Sequence, residues 1–180
     1  GIYNRADGIQ FVSEQDEERF LEFYALLHPQ TETNFGKEVN IAVAAFHKNR
    51  KKLGYALQLF SEMLQISALK PTKKVRRTME EARLGEYLEK QKTPFFAAIM
   101  EYVETLCPVD SATTCHEADR DAVVTLQVWA KNTQIENARN VIFLLGSGLS
   151  NVAPELRSET NGIVPLKIEF PDLNDRLETI

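Results

Sequence analysis

Two glutamates, one serine and one arginine are the residues of this chain whose types and neighbours invite chemistry. Glu101 and Glu104 follow the apolar run Phe95 to Met100 (FFAAIM). Ser147 stands between two glycines just after a second apolar run, Val141 to Leu145 (VIFLL). Arg157 lies in the segment Asn151 to Ser158 (NVAPELRS) that comes next. A carboxylate at the end of a buried strand can hold Mg2+ directly or through water, and a second can orient an attacking water. A hydroxyl at a neighbouring strand end can contact a γ-phosphate or that water. An arginine supplied from a neighbouring subunit stabilises charge in phosphoryl transfer. Each residue also has a plainer use. The glutamates can be surface groups, Gly146-Ser147-Gly148 is also a flexible turn, and Arg157 can pair with Glu155 or Glu159.

Such groups act together only if the elements that carry them are neighbours. Continuous apolar runs such as FFAAIM and VIFLL suit strands buried on both faces of a parallel sheet. Ligands of open α/β sheets sit beyond the carboxyl ends of the strands, where these residues fall. Leu166 to Phe170 predicts a third strand, more alternating in character. Between the first two runs, Pro108 to Asp119 is polar and predicts a loop. Asp121 to Lys131 predicts a helix with Val124, Leu126, Val128 and Trp129. The alternation of strand and helix favours an α/β fold.

The first half frames these elements. Ile2-Tyr3 and Gly8 to Val12 predict short extended segments around an Asp7-Gly8 turn. Ser13 suits a helix N-cap, with Asp16 and Glu17 in the first turn. Phe20, Leu21, Tyr24 and Leu27 give that helix its apolar face, and His28-Pro29 ends it. Residues 29–38 are polar, contain Gly36, and predict a loop. Val39 to Phe46 suits strand or helix. Leu53, Leu57, Phe60 and Leu64 predict a helix that Lys70-Pro71 breaks. A charged helix is expected from about Thr72 to Lys90, ended by Thr93-Pro94.

Bulk properties exclude several classes. With 180 residues the chain can bury a real core, and 43% hydrophobic and 26% charged residues are ordinary for a soluble globular protein. The net charge of -5 argues against a general nucleic-acid binder. The basic cluster Lys70, Lys73, Lys74, Arg76 and Arg77 reads as a solvated helix face, because Glu80 and Glu81 follow. Cys107 and Cys115 are too few for a disulfide framework, so a reducing cytosol is the simpler compartment. His28, His47 and His116 show no metal-ligand spacing with them. No apolar run reaches membrane-spanning length. The chain begins in what reads as mid-domain structure and stops at a helix start, so a piece of a longer protein is expected.

In order and spacing, the second half resembles the AAA+ ATPase core, most closely prokaryotic AAA-type ATPases. FFAAIMEYVETLCP resembles a Walker B strand, VVTLQVWAKN the helix after it, and NVIFLLGSGL the sensor-1 strand. APELRS is similar to the segment leading into the arginine-finger region, and IEFPDLNDRLETI to the run before the helical lid. The resemblance implies a parallel-sheet P-loop NTPase-like core flanked by helices. Residues 1–94 would form its N-terminal part with a helical insertion, and residues 95–180 its Walker B, sensor-1 and arginine-finger half. It implies ATP and Mg2+ as cofactors, a homo-oligomer, and a protein client. Glu101 would bind magnesium, Glu104 activate water, Ser147 act as sensor 1, and Arg157 lie in the finger region. Departures are equally plain. No Gly-x-x-x-x-Gly-Lys-Ser/Thr loop is present, and Phe35-Gly36-Lys37 lacks the rest of one. Glu101 replaces an aspartate and Ser147 the commoner asparagine or threonine. An ATP-hydrolysing subunit of a remodelling or switch machine is therefore expected, with a degenerate scaffold on the same fold as the alternative.

Overall fold

A tight hairpin opens the molecule because one residue in it has no side chain. In the computed structural model, which describes residues 1–34, 36–68, 96–109, 116–138, 140–159 and 162–169, strands β1 (Ile2–Asn4) and β2 (Gly8–Gln10) pair antiparallel. Gly8 has φ of 80°, and a Cβ there would stand 2.6 Å from the Arg50 carbonyl oxygen. The Ile9 amide donates to that same carbonyl at 2.9 Å. Only glycine permits this turn and this approach together.

Helix α1 (Glu14–Leu27) starts where the Ser13 hydroxyl accepts the Asp16 amide, with Glu14, Asp16 and Glu17 in its first turn. His28 caps its other end. Residues 29–38, expected as a loop, instead contain most of a second hairpin, β3 (Thr31–Asn34) with β4 (Lys37–Asn40). Its strands are polar and pair only with each other, so no hydrophobic alternation announces them. Val39 closes that hairpin, and Asn40 caps helix α2 (Ile41–Asn49) by accepting the Ala42 and Val43 amides. Helix α3 (Leu53–Ala68) buries Leu53, Ala56, Leu57, Leu59, Phe60, Met63 and Leu64. The charged helix expected at 72–90 and the Lys70 to Arg77 cluster lie outside the described residues.

Strand β5 (Ala97–Glu101) runs parallel to β1 on one side and to β6 (Val141–Leu145) on the other. The sheet order is β2-β1-β5-β6, so three of its four strands are parallel. A short helix α4 (Val103–Leu106) follows β5. Helix α5 (Glu117–Lys131) begins before the expected Asp121 and takes in the end of the expected loop. Helix α6 (Thr133–Asn137) leads to β6. The result is a mixed α/β fold with a mostly parallel sheet flanked by helices.

The core lies between one face of the sheet and the helices. Tyr3, Ile9, Ala98 and Met100 meet Leu59, Leu64, Leu126 and Trp129 there. Trp129 Nε1 donates to Ser61 Oγ at 2.9 Å, tying α5 to α3. Asn140 Oδ1 accepts from both Ser67 Oγ and the Phe96 amide at 2.9 Å, fixing the start of β5 against the end of α3.

Three strand expectations need correction. FFAAIM is covered on one face only: Ala98 and Met100 are buried, whereas Ala97 is exposed and Ile99 half-buried. VIFLL does not form a strand buried on both faces: Val141, Phe143 and Leu145 are 43%, 51% and 44% exposed. Among the described residues β6 has a strand neighbour on one side only, and only Ile142 and Leu144 turn towards the core. Leu166 to Glu169 form no strand, and Leu166 and Ile168 are exposed. The alternation is present there, but no partner strand accompanies it among the described residues.

Candidate functional site

β1, β5 and β6 run the same way, so their last residues share one rim. Register sets Met100 beside Tyr3 and Glu101 beside Leu145. Asn4, Glu101 and the Gly146-Ser147 turn are therefore close in space.

Asn4 is the buried polar residue of this rim. Its Oδ1 accepts the amides of Ala6 at 3.1 Å and Asp7 at 2.8 Å, an Asx-type arrangement that shapes the β1–β2 turn. Its Nδ2 donates to Asp7 Oδ2 at 3.2 Å and to Glu101 Oε2 at 3.1 Å. One side chain thus meets its hydrogen-bonding needs while holding two carboxylates. Beside it, Arg5 pairs with Asp119, which is buried in the first turn of α5.

After Glu101 the chain turns sharply. Tyr102 takes φ of 53° and ψ of 49°, the left-handed conformation, with its ring mostly in solvent. For a residue with a Cβ this conformation costs about 1–2 kcal/mol. The turn aims Glu104 across the rim at β6. Both of its carboxylate oxygens lie 3.4 Å from the Ser147 amide nitrogen. Asn151 Nδ2 donates to Ser147 Oγ at 3.3 Å.

Arg157 is used locally. Its Nε donates to the Val152 carbonyl at 2.6 Å and its guanidinium to the Ser150 carbonyl at 2.9 Å. The Ala153 amide donates to the Cys107 carbonyl at 2.8 Å, and Val152 bridges to Pro108. The segment carrying Arg157 is thereby fastened to the chain just after α4.

Of the residues singled out from sequence, Glu101, Glu104 and Ser147 meet on one rim, and Arg157 folds back on its own loop. Gly36 and Lys37 sit at the tip of the polar β3–β4 hairpin, which forms a sheet separate from β1, β5 and β6. Sequence reading took Asp7 only as a turn residue beside Gly8 and passed over Asn4, Asn151 and the Arg5–Asp119 pair. The Asn4-x-x-Asp7 spacing ahead of Gly8 was the available signal for the first two, since that pattern favours an Asx turn.

The rim carries Asp7, Glu101 and Glu104, and two described cations are committed: Arg5 to Asp119 and Arg157 to backbone carbonyls. On this rim Glu101 Oε2 is the oxygen held by Asn4. Among the described residues of the rim there is no cluster of donors or cations of the kind a triphosphate needs. Among the described residues no group of three His, Cys, Asp or Glu side chains converges as a metal site. No described helix is long and apolar enough to cross a membrane.

Comparison with known proteins gives one positive finding. The family model described as "AAA+ chaperone, N-terminal Rossmann-like domain" matches residues 1–169. No curated protein and no solved structure matches the chain.

Proposed function

Because the chain belongs to the family of AAA+ chaperone N-terminal Rossmann-like domains, we propose that it serves as a non-hydrolysing assembly module of an AAA+ machine. The observation that carries this reading is how the rim's groups are spent. Glu101 is tied to Asn4, Glu104 to the Ser147 amide, and Arg157 to its own loop. Groups held this way shape a surface, and among the described residues they form no cradle for the phosphates of ATP. The second support is the exposed face of Val141, Phe143 and Leu145, which a neighbouring protein surface would cover. The module would work in the cytoplasm, within an oligomer that handles a protein client.

One observation favours a second reading, in which the chain is an ATP-hydrolysing subunit carrying Walker B and sensor-1 residues of the prokaryotic AAA type. Glu101 and Glu104 share a rim with Ser147, which lies 43 positions beyond Glu104 in the chain. In that reading Glu101 would hold Mg2+ and Arg157 would serve a neighbouring copy.

The two readings part in one experiment. Calorimetric titration of the full chain with Mg2+-ATP, followed by a phosphate-release assay, should show neither saturable binding nor turnover. Turnover that falls when Glu104→Gln is introduced would replace the assembly reading with the enzymatic one. Arg157→Ala would then be expected to lower turnover without weakening nucleotide binding by the single copy. Sedimentation reads the assembly half: Phe143→Asp should lower the mass of any oligomer, and an unchanged oligomer would remove the β6 face from the interface.

A further inference from the structure

Residues 162–169 are fastened at one end and bare along the rest. Gly162 is pressed against α5: it takes φ of 78°, and a Cβ there would stand 2.5 Å from the Ala130 carbonyl oxygen. Ile163 still packs against the core. Beyond it the side chains stand in solvent, with Val164, Leu166 and Ile168 69%, 82% and 87% exposed. Lys167 Nζ donates to Glu169 Oε1 at 3.0 Å. Side chains two positions apart share a side of an extended chain. Three apolar residues therefore line one side, and Lys167 and Glu169 the other. That is the pattern of a half-buried strand, yet among the described residues no strand pairs with it.

The complementary feature lies on β6, which among the described residues pairs with β5 alone. The Val141 amide donates to the Phe96 carbonyl at 3.1 Å. Backbone groups alternate sides along a strand, so Ile142 and Leu144 present their N–H and C=O to the far margin. The 164–169 segment has a margin of its own to offer. Pro165 has no N–H, and prolines in sheets sit with that side outward. The opposite margin, carrying the backbone groups of Val164, Leu166 and Ile168, is the one able to pair.

Within one copy the two do not pair. We propose that residues 164–169 of one copy add as a strand to the far margin of β6 in a second copy of this chain. Main-chain hydrogen bonds hold such an added strand. Leu166 and Ile168 then lie beside Val141, Phe143 and Leu145 on the open face, where apolar cross-strand neighbours cover one another. Pro165 faces outward and stops a further strand from adding. One exchange covers a strip only about 20 Å long. Each copy holds one donor segment and one accepting margin, so a reciprocal pair of exchanges doubles the interface and closes it. This inference rests on the assembly reading and names its partner.

Sedimentation of the full chain over a concentration series is the first test. The wild type should reach the mass of two copies. Ile168→Pro removes an amide that faces β6 and should weaken association roughly tenfold or more. Ile168 is almost wholly exposed, so each copy should still fold. Lys167→Pro removes an amide of the outer margin and should associate as the wild type does. Disulfide trapping then identifies the strands in contact. Phe143→Cys copies mixed with Ile168→Cys copies, both in a Cys115→Ser background that leaves only the buried Cys107, should form a mixed disulfide. A wild type that stays a single copy at every concentration overturns the proposal. So does an Ile168→Pro chain that associates unchanged, and so does absence of the mixed disulfide, the result expected if the segment pairs with β6 of its own copy. Association that survives Ile168→Pro but falls with Phe143→Asp removes the segment and keeps the β6 face in the assembly, whereas wild-type ATP turnover would end the assembly reading itself.

Discussion

Asn4 carries more of the rim than any residue with obvious chemistry. Its amide oxygen serves two backbone donors and its amide nitrogen serves two carboxylates. Asn4→Ala should leave the Ala6 and Asp7 amides without their acceptor and free Glu101 from the sheet end. The expected cost is about 2–4 kcal/mol, read as a lower urea midpoint at unchanged slope. Tyr102 presents the opposite case. Its left-handed backbone is unfavourable for a tyrosine, while its ring packs against little. Tyr102→Gly should therefore hold or raise the melting temperature, with a gain of up to about 1 kcal/mol. A fall of several degrees would mean that the exposed ring makes contacts worth more than the strain.

Among the elements, α3 is the one on which the others depend. It meets α5, α6 and β2, and Leu64 on it is fully buried. Leu64→Ala should cost about 2–5 kcal/mol in chemical denaturation, because rigid helices on either side cannot close the cavity. This helix and α1 were legible in the sequence, since a 3.6-residue apolar period and a Ser13 cap are local signals. The polar β3–β4 hairpin was not legible, because its strands bury little and so carry no alternation. The strand character of VIFLL was legible, but its half-exposed state was not. Burial on the second face depends on what lies across the sheet, and five apolar residues in a row read the same either way. The rim was partly legible for a related reason. Strand ends pointed to Glu101 and Ser147, whereas the Asn4–Glu101 bond joins residues 97 positions apart and no local pattern encodes it.

For the whole molecule, alkaline pH is the informative axis. Burial raises the phenols of Tyr3, Tyr24 and Tyr55 above their ordinary value of 10.0. For Tyr55 the neighbouring Tyr24 and Glu62 push in the same direction. A raised folded-state value means that the unfolded chain loses these protons first. The stability these neutral phenols contribute is therefore fully present below pH 10 and is lost as pH rises through their folded values. The melting temperature should be insensitive to these groups near neutrality and fall above about pH 10. Tyr55→Phe should flatten that fall, and an unaltered alkaline slope would take Tyr55 out of the account.

The one-sided pairing of β6 also bears on how the protein behaves in concentrated solution. Among the described residues no strand pairs with the far margin of β6, and such a margin is a template for any extended chain that arrives there. Five residues and an immediate glycine break keep that template short, and no lysine or proline within Val141 to Leu145 guards it. Overexpressed without whatever normally lies against it, the protein is expected to stick to itself through this margin. A lysine introduced at Val141 should raise the concentration at which light scattering first climbs.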